Sequence, residues 1–292
     1  MNQAATAGQP EAAGQQPWVD VSLWLSGAQA PTPRRPLQGD REFDVAIIGG
    51  GYTGLWTAYY LKALMPGTSV CIIEAEVSGF GASGRNGGWL MASMDGMTGV
   101  LKDLDRKRRR SAIKSILGIL PEVERVLAEH AIDCGFRQGG GLFTAARYPL
   151  QESIQRRALE DLHAAGFKED DYRWLTSGEL WERLQIRRPA GAIYTPHIAR
   201  IQPGALAAGL AATVEKAGVE IFEQTRALAI WDDAIETDRG WVRAAARIIA
   251  VEGFNYEFAA LRDRVLPVSS RIIATRPLSN EEWQDVGLEE RE

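Results

Sequence analysis

A glycine-rich turn between an apolar strand and a helix is the feature that most constrains this chain. The stretch DVAIIGGGYTGLWTAYYLKALMPGTSVCIIEAE begins at Asp44 and predicts a strand over 44–49, a helix over 53–65 and a strand over 69–74. Two parallel strands joined by a helix form a βαβ unit. We therefore expect an α/β fold built on a parallel sheet.

The turn carries the spacing of a dinucleotide-binding site. Gly49, Gly51 and Gly54 form G-x-G-x-x-G at the end of the first strand, and Glu74 ends the second strand. Such glycines permit a tight turn, a close approach of backbone to a pyrophosphate and close helix packing, while the acid binds ribose hydroxyls. The alternative is a purely structural glycine turn with Glu74 solvated.

A second glycine-rich stretch, GFGASGRNGGWL, begins at Gly79, five residues after Glu74. It leaves the carboxyl edge of the predicted sheet, where ligands of open α/β folds bind. Bare backbone there offers N–H groups to oxygen atoms and space for a flat ring, which favours a flavin. An NAD-dependent dehydrogenase is the alternative, and it is disfavoured because this loop has no evident role in one.

Composition indicates a soluble, cytoplasmic protein with no general attraction to nucleic acid. The formal net charge of the 292 residues is -5, and 45% of them are hydrophobic. The longest uncharged run, 45–61, is interrupted by three glycines and predicts no membrane span. Five consecutive basic residues, 106–110, are interpreted as a solvated helix face.

No catalytic or metal-binding cluster stands out in the sequence. His130, His163 and His197 lack the spacing of metal ligands, and no Ser/His/Asp set is apparent. Cys71 and Cys134 are predicted to be buried, reduced thiols. The catalytic residues therefore stay unidentified, and no metal is expected.

Four motifs together resemble the D-amino-acid-oxidase-type FAD oxidoreductases, most closely their gamma-glutamylputrescine oxidase-like branch. They are SLWLSG, DVAIIGGGYTGL, GFGASGRNGG and GFRQGGGLFTAA, and the resemblance runs from about Ser22 onward. It implies an FAD cofactor and a Rossmann-like FAD-binding domain interleaved with an α+β substrate domain.

The resemblance also implies roles for individual residues. Gly49, Gly51 and Gly54 would cradle the FAD pyrophosphate, and Glu74 would hold the adenosine ribose. The backbone near Ala227 would contact adenine. The turn at Gly253 would approach the cofactor again, and His197 is a weaker candidate for the active site. The flavin side would be lined by Ala82, Ser83, Arg85, Asn86, Gly87 and Gly88.

Two residues of this loop have alternatives. Arg85 in a surface salt bridge and Asn86 as a loop cap would both be structural.

The predicted domain organisation follows the change in pattern along the chain. It comprises an N-terminal tail and arm (1–43), with Trp18 and Trp24 as candidate anchors, the first part of the FAD-binding domain (44–135), the first part of the substrate domain (136–200), the second part of the FAD-binding domain (201–258) and a substrate-domain segment (259–292). Further predictions are strands within 136–146, a mainly helical 150–185, a helix over 204–218, and strands over 219–230, 245–253 and 264–275.

These features predict oxidation of an amine or amino acid by hydride transfer to flavin, with oxygen or another electron acceptor. Relatives of this kind continue beyond the end of this sequence, so we expect the substrate domain to be incomplete at its C-terminus. Unpaired groups on the 264–275 strand then predict self-association. The alternative from another class is a catalytically silent fragment that binds a dinucleotide or a partner chain.

Overall fold

The fold was analysed in a computed structural model, which describes residues 21–26, 31–259, 261–268 and 270–286. The described strands are β1 (Arg41–Ile48), β2 (Val70–Ile73), β3 (Trp89–Met91), β4 (Arg137–Gln138), β5 (Gly141–Ala145), β6 (Arg173–Thr176), β7 (Gly191–Thr195), β8 (Ile198–Arg200), β9 (Glu220–Phe222), β10 (Ala227–Ile230), β11 (Ala234–Thr237) and β12 (Gly240–Ile249). The described α-helices are α1 (Tyr52–Leu64), α2 (Met97–Asp103), α3 (Arg106–Leu117), α4 (Ile119–His130), α5 (Pro149–Ala165), α6 (Ser177–Trp181), α7 (Pro203–Lys216) and α8 (Asn280–Val286).

A six-stranded sheet forms the centre of the fold, in the order β10-β11-β12-β1-β2-β9. Strand β1 pairs in parallel with both β12 and β2, and β2 pairs in parallel with β9. The antiparallel β10 and β11 extend the sheet beyond β12. The predicted βαβ unit is β1, α1 and β2, and the fold is α/β and Rossmann-like.

Both faces of the sheet are covered, which explains the continuous apolar run in β1. Val45 and Ile47 contact a cluster that includes residues of α1 and α7, whereas Ala46 and Ile48 contact the opposite cluster with Phe222. Alternate residues of a strand point to opposite faces, so a strand covered on both sides is apolar throughout.

Two three-stranded sheets lie outside the central sheet, in the orders β3-β8-β4 and β5-β7-β6. The strands predicted within 136–146 exist as β4 and β5, but these belong to different sheets. Gly140, between them, has a φ of 78°, and it redirects the chain after β4. The prediction of a mainly helical 150–185 missed β6, which pairs with β7.

The single strand predicted over 219–230 is wrong. The segment forms β9 and β10, which lie at opposite edges of the central sheet. Gln224 has a φ of 50°, in the left-handed region, and this breaks the extended backbone between them. The strand predicted over 245–253 is β12, which begins and ends earlier.

The strand predicted over 264–275 is also absent from the described residues of that segment. The chain there is irregular and leaves Leu266, Val268 and Ile273 exposed. A strand forms only where a neighbour pairs with its backbone, and none of the described strands runs beside this segment. The apolar residues of this segment therefore suggested a strand that its described residues do not form.

The N-terminal arm contacts the second glycine-rich loop through residues 22–26, here called the docked arm. Ser22 Oγ donates to the Gly84 carbonyl at 2.7 Å, and Trp24 Nε1 donates to the Asn86 carbonyl at 2.8 Å. Leu25 is buried beside these contacts. Trp24 thus anchors the arm as predicted, while Trp18 lies outside the described residues.

No helix in the described part of the chain is both long and apolar enough to span a membrane. The domain boundaries given above stay predictions.

Candidate functional site

A cleft lies at the carboxyl ends of β1 and β2, next to the end of β12. Its volume is about 980 Å³ including the space that opens to solvent. Five segments line it: the turn after β1, the residues after β2, the second glycine-rich loop, the start of β10 and the residues after β12. This is the position at which open α/β sheets bind ligands.

The first glycine-rich turn is packed so closely that side chains are excluded. Gly49 has a φ of 106°, and a Cβ atom there would lie 2.5 Å from the Ala250 carbonyl oxygen. A Cβ on Gly54 would lie 2.0 Å from the Gly49 carbonyl oxygen. Each residue therefore has to be glycine, and α1 begins directly beside the end of β1.

The N-terminus of α1 opens toward the cleft. Its N-cap is Gly51, which has no side chain to accept from the first turn, and Gly51, Tyr52 and Thr53 all line the cleft. Ser83 Oγ, from the second loop, accepts from Tyr52 N at 2.8 Å. A helix N-terminus of this kind attracts phosphate oxygens through its N–H groups and its dipole.

Glu74 lies at the other side of the turn and is held by backbone. Its carboxylate accepts from Gly50 N at 2.7 Å and from Glu76 N at 3.0 Å. Burial raises the pKa of Glu74 to about 7, against the lowering effect of these hydrogen bonds. Burial thus favours the protonated form of this carboxyl.

The structure brings half of the twelve residues predicted to bind the cofactor into one cleft. Those that line the cleft are Gly49, Gly51, Glu74, Ala82, Ser83 and Ala227. Gly54 lies beneath the turn. Gly253 does not line the cleft, although Val251, Glu252 and Phe254 around it do.

The remaining loop residues, Arg85, Asn86, Gly87 and Gly88, do not line the cleft. Arg85 Nε donates to the Phe80 carbonyl at 2.6 Å, and its guanidinium lies 4.0 Å from the centre of the Phe80 ring. The Asn86 side chain donates to the Ala82 and Ser83 carbonyls and accepts from Gly88 N. Both side chains hold the loop in its conformation, and their role toward a flavin stays a prediction.

Several lining residues were missed by the sequence analysis. The cleft also contains Glu76, Glu252 and Glu257, with Arg226 as the one cation among its described lining residues. Phe254 and Phe258 add aromatic surface. Only Glu76 had a usable signal, because it lies two residues after Glu74. The others come from distant segments that the fold brings to the same place.

His197 lies away from the cleft. Its Nε2 atom is 3.1 Å from Asp171 Oδ1, in the part of the chain that forms the smaller sheets. The described residues contain no group of three or more metal-binding side chains.

These residues fit a flavin adenine dinucleotide. The closely packed turn and the open N-terminus of α1 suit a pyrophosphate, and Glu74 suits ribose hydroxyls. Apolar and aromatic surface from Val251, Phe254 and Phe258 suits a flat base. The Glu74 carboxylate would repel a phosphate on that ribose. Fold and cleft together define a dinucleotide-binding α/β protein.

Comparison with known proteins identifies the family. Residues 44–290 match the DAO family, described as FAD dependent oxidoreductase. The chain is 30% identical over 272 residues to the probable oxidoreductase OrdL of Rhizobium meliloti (strain 1021), an alignment covering 88% of this chain and 61% of that protein. It is 28% identical over 278 residues to gamma-glutamylputrescine oxidoreductase of Escherichia coli (strain K12), covering 89% and 61%.

A solved structure of glycine oxidase from Geobacillus kaustophilus is also similar. It has a TM-score of 0.62 and 27% identity, with 75% of this chain and 58% of that chain covered. The chain belongs to the DAO family of FAD-dependent oxidoreductases. It spans 61% of the length of each of the two curated relatives named above.

Proposed function

We propose that this chain carries the FAD-binding site of an oxidoreductase that oxidises a C–N bond in an amine or amino acid. The observation that carries the proposal is the convergence of the Gly49–Gly51 turn, Glu74 and the Ala82–Ser83 loop on one cleft. These groups come from separate segments, and each suits a different part of one dinucleotide.

Each group has a distinct role in holding the cofactor. The N–H groups at the start of α1 bind the pyrophosphate, and the Glu74 carboxylate accepts hydrogen bonds from the ribose. Ser83 Oγ accepts from Tyr52 N, and its O–H group can still donate to a ligand. The same hydrogen bond fixes the loop next to the helix N-terminus.

A bound flavin would supply a two-electron acceptor for the hydride on the carbon next to the substrate nitrogen, with oxygen or another acceptor as the final oxidant. The chain contributes binding, orientation and a site partly shielded from water. Such chemistry needs no triad, so the lack of one in the sequence is consistent with the proposal.

The relatives support an amine or amino-acid substrate. Two of them are named gamma-glutamylputrescine oxidoreductase and glycine oxidase, and both names describe the oxidation of a compound with a C–N bond. Gamma-glutamyl-amines, small amines and amino acids are therefore the substrate classes to test.

The test measures binding and turnover separately. The purified chain is mixed with FAD, freed of unbound cofactor, and examined for flavin absorbance; hydrogen peroxide formation in oxygen is then measured with each substrate class. We expect retained flavin, with Gly51→Val as the variant that loses it. A folded wild-type chain that retains no flavin would contradict the proposal.

A second candidate function is binding of FAD without turnover. The exposed Leu266, Val268 and Ile273 favour it, because grouped exposed apolar side chains often mark a surface that contacts another protein. Retained flavin with no peroxide from any substrate class, and no reduction of a dye acceptor, would support this second candidate over the first.

A further inference from the structure

One guanidinium joins three segments at the acidic end of the cleft. Arg226 Nη1 donates to Glu257 Oε2 at 2.9 Å, and Arg226 Nη2 donates to Glu76 Oε1 at 3.2 Å. All three residues line the cleft. We call these three residues the arginine clasp.

The clasp connects the two sides of the cleft. Glu76 follows β2 and Glu257 follows β12, and β1 lies between these two strands in the sheet. The turn that begins the dinucleotide site follows β1, so the clasp reaches from one side of that turn to the other. A dinucleotide bound along the turn would have to pass the clasp when it enters or leaves the cleft.

The side chain of Arg226 is free to release while its backbone stays fixed. Asp238 Oδ1 accepts from Arg226 N at 2.9 Å, and Asp238 N donates to the Arg226 carbonyl at 3.0 Å. These bonds hold the start of β10 independently of the guanidinium. Opening the clasp therefore requires a change of side-chain rotamer only.

The two ion pairs of the clasp are weak enough to break and re-form repeatedly. The Arg226 side chain is 43% exposed, and its two partners are 30% and 32% exposed. Ion pairs of this exposure contribute little to the free energy of unfolding and weaken in salt. Both ion pairs must break together before the clasp opens, so the two pairs still slow its opening.

We propose that the arginine clasp controls the release of the adenosine end of FAD, with Arg226 as a positioning residue. The inference rests on the proposed function, since it takes the ligand to be FAD. The clasp closes after the ribose reaches Glu74, and it must open before the adenosine leaves. It also offsets the charge of the four carboxylates that line this end.

The test compares Arg226→Met with Arg243→Met. The first keeps an unbranched stem without the guanidinium and so removes both ion pairs; the control removes the exposed pair of Arg243 with Asp233, whose atoms lie 3.0 Å apart outside the cleft. FAD release is followed by flavin fluorescence after dilution of the loaded protein. We expect release roughly three- to tenfold faster in Arg226→Met, the range for one or two exposed pairs, and unchanged in the control.

Salt dependence and hydrogen exchange separate the clasp from a general structural role. Release from the wild type should accelerate with added NaCl, whereas release from Arg226→Met should not. In the protein without cofactor, the variant should exchange amides faster over 74–81 and 251–258. If Arg226→Met does not fold, Glu257→Gln removes one pair and serves in its place.

Failure of the clasp proposal and failure of the proposed function would give different results. A wild type that binds FAD, together with a variant whose release rate, salt dependence and exchange all equal those of the wild type, would overturn the clasp alone. A folded wild type that binds no FAD would contradict the proposed function and the role of the clasp in release together.

Discussion

At the scale of single residues, the proposed contact of Glu74 with ribose predicts that cofactor binding depends on pH. With a pKa of about 7, rising pH through neutrality creates the carboxylate that would accept from ribose hydroxyls. We therefore expect FAD affinity to increase from pH 6 to pH 8, by at most about tenfold per pH unit below the pKa. Titration of the cofactor at several pH values measures this, and Glu74→Gln should give a flatter profile.

The same pKa has the opposite effect on the stability of the cofactor-free protein. Because folding raises the pKa of Glu74 from 4.5 to about 7, the folded state favours the protonated carboxyl. Its contribution to the free energy of unfolding is therefore present at low pH and lost as pH rises from about 5 to 7.

The Glu74→Gln variant is also the control for the predicted pH dependence of FAD affinity. If its affinity rises with pH as steeply as that of the wild type, another group titrates.

Gly54 offers a second test at this scale. A Cβ there would lie 2.0 Å from the backbone oxygen of Gly49, whereas a Cβ at Gly67 would have no atom within 4 Å. We expect Gly54→Ala to lower the free energy of unfolding by about 3 kcal/mol, since backbone has to shift, and Gly67→Ala to lower it little. Urea unfolding of both variants measures the difference. Equal stability of the two would mean that α1 is packed less closely than described.

At the scale of elements, the sequence predicted local structure well and strand partners poorly. The βαβ unit was predicted within a few residues, because glycine spacing, helical periodicity and apolar runs are all local signals. The segment 219–230 was misassigned because an apolar strand pattern does not identify its neighbour. The turn at Gln224, which sends β9 and β10 to opposite edges, uses a residue with no turn preference strong enough to predict it.

The residues of the candidate site also fall into two groups, those that the sequence predicted and those that it did not. Gly49, Gly51 and Glu74 were predictable because they belong to one contiguous unit of the chain. Arg226 and Glu257 were not, since they reach the cleft only when β10 and β12 join the sheet. Charged residues that reach a site from distant segments form no pattern that can be recognised along the sequence.

The docked arm gives a prediction for an element as a whole. Removing its two contacts with the loop, in a Ser22→Ala and Trp24→Phe double variant, should cost about 1 kcal/mol for each hydrogen bond lost. Because these bonds end on the Gly84 and Asn86 carbonyls, amide exchange over 79–88 should also accelerate. Mass-spectrometric hydrogen exchange measures both effects.

Ser26→Ala is the matched control for the arm, because its hydroxyl donates only within the arm, to the Leu23 carbonyl. It should leave exchange in the loop unchanged. Faster exchange over 79–88 in this control as well would show that the arm acts by general loosening and not through the two contacts.

At the scale of the whole molecule, Glu223 connects regions far apart in sequence. Its fully buried carboxylate accepts from Arg34 N at 2.7 Å and from both Ser78 N and Ser78 Oγ, at 2.8 and 2.7 Å. It also pairs with Arg34 Nη1 at 3.0 Å. The arm, the end of β9 and the loop after β2 therefore meet at one charged group.

Glu223→Gln should consequently destabilise the protein by about 3 kcal/mol, because Ser78 and the Arg34 amide lose a buried anion while the Arg34 guanidinium keeps its ion pair with Glu215. Glu220→Gln is the control, because Glu220 pairs with Arg35 and Arg41 nearer the surface, where about 1 kcal/mol or less is expected. Thermal and urea unfolding measure both. A loss in Glu223→Gln no larger than in the control would show that the buried group is dispensable.

The pairing of β1 with β12 sets the order of events during synthesis. Arg41 lies opposite Val242, about 200 residues later in the chain. At ribosomal rates of about 5–20 residues per second, β1 waits roughly 10–40 s for this partner. One edge of an apolar strand lacks this partner for that time, which leaves it open to pairing with other chains until β12 emerges. Glu257 of the clasp and the aromatic residues Phe254 and Phe258 follow β12 in the chain, so the lining of the cleft is complete only after this last segment has been translated.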